Sequence, residues 1–69
     1  MNKAAQEPSF IPPLVTRELY ARLAGIEIGV FKAQCERGFW PQVHVGKRVF
    51  INVEALRLIA AKKATEMTL

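Results

Sequence analysis

A single cysteine and a single histidine in 69 residues remove two kinds of chemistry at the outset. Cys35 has no partner for an internal disulfide, and one Cys with one His cannot furnish a four-ligand zinc site. No metal and no cofactor is expected. No apolar run approaches the ~18 residues of a membrane span, and Met1 to Ala5 is not followed by a signal-peptide core. The expectation is a cytoplasmic protein without a membrane partner. The sequence also lacks a nucleophile with its base, paired inward carboxylates and a Gly-rich phosphate loop, and a chain this short rarely encloses a substrate pocket. It does not read as an enzyme. There is no internal repeat and no low-complexity tract.

What is present is apolar and basic. Hydrophobic residues make up 51% of the chain and the net charge is +4, a composition that folds and is unlike that of a disordered segment. The length allows one domain. A core of this size leaves roughly 3–5 kcal/mol of net stability, so good packing, an oligomer or a partner is expected. The charge is uneven: residues 32–48 hold Lys32, Arg37, Lys47 and Arg48 against the single acid Glu36. A basic hairpin tip beside a short helix is an electrostatic footprint for a phosphate backbone.

Residues 1–13 carry Pro8, Pro12 and Pro13 and read as an extended arm; within it, Phe10 and Ile11 are expected to pack back on the domain. A first helix begins after Thr16, whose hydroxyl caps it, with Glu18 favouring the positive end of the helix dipole. Leu19, Tyr20, Leu23 and Ala24 form its apolar side, and Gly25 ends it. A second helix runs from Glu27 or Ile28 to Arg37, with Ile26, Val30, Phe31 and Cys35 facing inward. Gly38 stops it and Pro41 cannot rejoin it. Two short helices about a Gly-centred turn form a helix-turn-helix pattern. Val43, Val45, Val49 and Ile51 then alternate about a tip at Gly46-Lys47, the pattern of a two-residue hairpin. Asn52 caps a third helix from Val53 to about Ala64, with Glu54 in its first turn and Lys62 and Lys63 in its last. The expected fold class is therefore mainly α with a small β-hairpin, in three segments: an arm at 1–13, a domain at 14–64 and a tail at 65–69.

The residues LVTRELYARLAGI at 14–26, RGFWP at 37–41, VGKR at 45–48 and INVEAL at 51–56 resemble the excisionase-type (recombination directionality factor) and Cox-like winged helix-turn-helix family, which is related to MerR-type DNA-binding domains. The resemblance runs from roughly Leu14 to Ala60. It implies that the second helix enters the major groove and that the hairpin, as a wing, meets adjacent phosphates or the minor groove. Carried over by position, the implied DNA-binding residues are Ile28, Gly29, Lys32, Ala33, Arg37, His44, Lys47 and Arg48, with Glu27 and Glu36 also on the outward side. The chain departs from the family at Glu27, where Ser or Thr is usual, and at Ile28, Gly29, Val30 and Ala33, where basic or hydroxyl residues are common. A carboxylate at the helix start repels phosphate and Gly29 weakens the helix by ~1 kcal/mol, so modest base readout is expected.

The resemblance further implies double-stranded DNA as partner, a site-specific integrase beside it, several copies assembled on bent DNA, and repression of a promoter. Two other readings remain open in the residues: a plain phage or mobile-element transcriptional regulator, and a protein-interaction module that keeps the fold without DNA. For single residues, Cys35 reads as a small buried hydrophobe and Trp40 as a core plug. Phe39 reads as a candidate protein contact and Tyr20 as core with its hydroxyl at the edge. His44 is equally a solvated side chain or a phosphate contact.

Overall fold

The strand nearest the C-terminal helix holds the rest of the chain together. In the computed structural model, which describes residues 11–67, the elements run β1 (Leu14–Thr16), α1 (Arg17–Ala24), α2 (Ile28–Glu36), β2 (Gln42–Val45), β3 (Arg48–Asn52) and α3 (Val53–Glu66). The result is a small, mainly helical domain with three helices and a three-stranded antiparallel sheet of order β1-β3-β2. β3 therefore pairs on both edges. Its pairing is extended at one end by Val53 N–H to Pro13 O at 2.8 Å and Asn52 N–H to Pro41 O at 2.9 Å.

β1 was not foreseen as a strand. Only three residues long, it has no periodicity to read, yet it sets Leu14 opposite Asn52, Val15 opposite Ile51 and Thr16 opposite Phe50. Prolines at 12 and 13 suit this position, because an edge strand does not need their missing donors. The expected alternation of the hairpin also needs correction. Val45 pairs with Arg48, Val43 with Phe50, His44 with Val49 and Gln42 with Ile51. Directly paired residues share a face, so Val43 and Val45 lie on one side of the sheet and Val49 and Ile51 on the other. A two-residue tip reverses the parity across the turn. Gly46 is the one residue of that tip with positive φ, at 60°, which is the type II′ pattern that matches strand twist.

The core is formed by Val15, Ala21, Phe31, Cys35, Ile51 and Val53, drawn from every element except β2. Tyr20, Phe31 and Trp40 stack around it, with ring centroids 5.6, 5.5 and 5.1 Å apart, in the separation range of attractive aromatic pairs. Trp40 is thus the expected plug, and its indole N–H donates to Gln34 Oε1 at 3.0 Å. Cys35 is buried as expected, and burial pushes its thiol up despite the opposing charge of Arg17.

Two apolar assignments fail for one geometric reason. The buried side of α1 centres on Ala21, and Leu23, two residues or about 200° further round, is exposed; Ala24, the last residue of the helix, is exposed as well. In α2 the buried pair is Phe31 and Cys35, and Val30, one step off that stripe, is 50% exposed.

Both short helices end as expected. Gly25 N–H donates to Arg22 O at 3.3 Å and Ile26 N–H to Ala21 O at 2.8 Å; Gly38 N–H and Phe39 N–H donate to Cys35 O and Gln34 O, each at 3.0 Å. These are paired Schellman closures, which need a left-handed residue; Gly25 and Gly38 supply φ of 77° and 80°. The expected caps are also made: Thr16 Oγ1 accepts from Leu19 N–H and Asn52 Oδ1 from Ala55 N–H, both at 3.0 Å.

Ile11 packs back against the core as expected, and its carbonyl accepts from Arg57 Nη2 at 3.3 Å. Phe10 lies outside the described residues. At the other end α3 continues past Ala64 to Glu66, where Thr65 Oγ1 donates back to Lys62 O at 2.7 Å and Lys63 pairs with Glu66 at 3.5 Å. No helix among the described residues is long and apolar enough to cross a membrane.

Candidate functional site

The amino end of α2 carries its own anion. Glu27 is the N-cap, and its Oε1 accepts from Val30 N–H at 2.9 Å. The amides of Val30 and Gly29 hold this carboxyl below its ordinary range, because hydrogen bonds to the charged form favour it. Gly29 belongs to the same arrangement: a Cβ there would stand 3.1 Å from Glu27 Oε1. Its cost in helix propensity is therefore offset by room for the cap. The place where a phosphate could meet these amides is occupied by the protein's own carboxylate.

Beyond the cap, Ile28, Gly29, Val30, Ala33, Glu36 and Arg37 are exposed along α2. Lys32 lies on the side toward α1, where its ammonium meets Glu18 Oε2 at 3.2 Å. Gln34 is engaged by Trp40. The outward side of α2 is thus largely apolar, with acids at both ends.

Cations gather elsewhere. A cleft of about 190 Å³ opens between the first turn of α1 and the hairpin tip, lined by Thr16, Arg17, Glu18, Lys47, Arg48, Val49 and Phe50. It exists because β1 stops at Thr16 while β3 runs on toward the tip, so α1 turns away and leaves a concave step. Arg17, Lys47 and Arg48 make no ion pair among the described residues; the only pairs there are Lys32 with Glu18 and Lys63 with Glu66. Glu18 is held below the ordinary carboxyl range, first by its own backbone amide and then by Lys32. Arg17, Lys47 and Arg48 outnumber the one carboxylate lining this concave surface, which can therefore seat an anion.

The residues expected to act together are only partly brought together. Lys47 and Arg48 share the cleft, and Lys32 joins its edge through Glu18. Arg37 is the C-cap of α2, at the end that Gln42 ties to the sheet through Nε2 to Cys35 O at 3.0 Å. The tip lies four residues beyond Gln42, about 13 Å along the strand, so Arg37 sits at the far end of the hairpin. His44 lies between, exposed, on the same sheet face as Gln42. Ile28, Gly29 and Ala33 stay on the exposed side of α2. Arg17, not among the residues expected to act together, also lines the cleft. It reads as an ordinary first-turn residue, and only the unforeseen strand β1 places it opposite the tip.

Compared with models of known families, with curated proteins and with solved structures, the chain matches none.

Proposed function

We propose that this chain is a winged helix-turn-helix DNA-binding protein of the excisionase type, an architectural factor that sits on duplex DNA beside a site-specific integrase and represses transcription at the same place. The three-residue link between α1 and α2, the two-residue hairpin and the following α3 are the element order of that fold. The observation that carries the reading is the cleft lined by Arg17, Lys47 and Arg48, none of which has an ion-pair partner among the described residues. Phosphate contacts of this kind position a protein on the duplex and carry no sequence information. Specificity then comes from DNA shape and from several copies on repeated sites.

The test is titration of random-sequence duplex over a range of salt. Binding weakens as salt rises, and Arg17→Ala, Lys47→Ala and Arg48→Ala each lower the logarithmic salt slope by about 0.9. Absence of binding at low salt removes the reading and favours a protein-interaction module, to which the 63% exposed Phe39 is suited. An excision reaction with integrase that proceeds equally without the protein leaves a plain transcriptional regulator.

A further inference from the structure

Glu18 is the one acid among the residues lining the basic cleft, and it also reaches out of it. Its carboxylate meets Lys32 Nζ at 3.2 Å, linking the first turn of α1 to the middle of α2. Both side chains are substantially exposed, 60% for Glu18 and 41% for Lys32, so this pair is not there to satisfy buried charge, and exposed pairs of this kind contribute little to folding. Its consequence is electrostatic. It engages the Lys32 ammonium, and it places a negative charge beside Arg17 on the wall of a cleft that Lys47 and Arg48 also line.

We infer that Glu18 meters the affinity of this surface for a phosphodiester backbone: it holds Lys32 against α1 and opposes phosphate entry at the edge of the cleft. The inference rests on the DNA reading above. Free protein then binds duplex more weakly, and with a shallower salt dependence, than its cations alone would give. A backbone phosphate brought near the pair competes with Glu18 for the Lys32 ammonium, so the contact is made only where the duplex is pressed close to α2. Such a device suits a protein that must release non-specific DNA readily while several copies hold a chosen site.

The test is Glu18→Gln, which keeps size and removes charge, titrated with random-sequence duplex between 50 and 300 mM salt. One added phosphate contact steepens the salt slope by about 0.9 and, at 100 mM salt, is worth about eight-fold in affinity. Glu18→Gln is expected to reach roughly that gain in both readouts. Lys32→Gln in the wild-type background leaves the Glu18 charge unpaired at the cleft and is expected to weaken binding at 100 mM salt by up to about eight-fold. The double variant returns to within about two-fold of wild type, with the wild-type slope. Glu66→Gln is the control: it removes the same charge from a pair on the last turn of α3, outside the residues that line the cleft, and is expected to have little effect. Far-ultraviolet circular dichroism and Trp40 fluorescence establish that each variant is folded.

The inference is overturned if Glu18→Gln binds no more tightly than Glu66→Gln, if the double variant keeps the full gain, or if Lys32→Gln alone leaves affinity unchanged. A wild-type protein whose binding is absent at 50 mM salt overturns the DNA reading itself and takes this inference with it. The two failures are told apart by whether the wild type binds.

Discussion

Removing Phe31 should unfold the domain. This ring is fully buried, at 0% exposure, and packs against both Tyr20 and Trp40 with centroids at 5.6 and 5.1 Å. Truncating a buried phenylalanine to alanine costs about 3–5 kcal/mol, from lost transfer energy and the cavity left behind. The surrounding shell cannot close that cavity easily, because Cys35 and Ile51 beside it in the core are held by a helix and by the central strand. A domain of this length has only about 3–5 kcal/mol to lose, so Phe31→Ala is expected to be largely unfolded at 25 °C without denaturant. Phe31→Leu keeps most of the volume and should lose about 1–2 kcal/mol. With a urea slope near 1 kcal/mol/M for a small protein, its midpoint falls by about 1–2 M. The assay is urea titration followed by fluorescence of Trp40, the only tryptophan, checked against circular dichroism. A Phe31→Ala protein that still unfolds cooperatively, with a midpoint within about 0.5 M of wild type, would refute this account of the core.

Two glycines should respond oppositely to alanine. At Gly38, with φ of 80° and open space around a new Cβ, the substitution forces an L-residue into the left-handed region and costs about 1–2 kcal/mol, read as a lower urea midpoint. At Gly29 the gain in helix propensity, up to ~1 kcal/mol, is countered by the 3.1 Å approach to Glu27 Oε1; the gain from Gly29→Ala is therefore larger in a Glu27→Ala background, and additivity in the double-variant cycle would show the two do not interact. For pH, the folded-state pKa values of Glu18 and Glu27 are lowered from an ordinary 4.5. Their contribution is present above that value and is lost as pH falls through the folded values. Stability measured from pH 6 to pH 3 should therefore decline, and less steeply in the Glu18→Gln and Glu27→Gln variants; equal slopes would contradict the contacts assigned to these two carboxylates.

The parts of this fold legible in the sequence are those whose signal is local. Thr16, Asn52, Gly25 and Gly38 announce helix ends through single-residue chemistry, and each is found making the expected bonds or turning into the left-handed region. Gly46-Lys47 announces its turn in the same way. What could not be read depends on pairing at a distance. β1 exists only because Ile51 and Phe50 lie beside it, and the face each hairpin valine takes depends on register across the tip. The error at Leu23 and Val30 follows from the shortness of α1 and α2: so few turns fit more than one apolar stripe, and tertiary packing selects among them. Arg17 inherits the same limit, since its place opposite Lys47 and Arg48 depends on a strand that has no pattern of its own.

On the proposed reading, the structure also constrains how bases are read. Bidentate recognition of guanine needs Arg or Lys, and of adenine Asn or Gln, on the helix facing the groove. On α2 the Lys32 ammonium is tied to Glu18 and the Gln34 amide oxygen to Trp40, while Arg37 caps the far end. What remains outward is Ile28, Val30 and Ala33, side chains that contact thymine methyl groups or exclude them, and Glu36, whose carboxylate can only accept, as from a cytosine amino group. Replacing thymine by deoxyuracil in a selected site should therefore weaken binding, whereas replacing guanine by 7-deazaguanine should leave it nearly unchanged. The measurement is competition between substituted duplexes of otherwise identical sequence. A bidentate guanine contact is worth about 1–3 kcal/mol, so a loss of ten-fold or more on 7-deazaguanine substitution would mean that Arg37, or a Lys32 released from Glu18, reaches the bases after all.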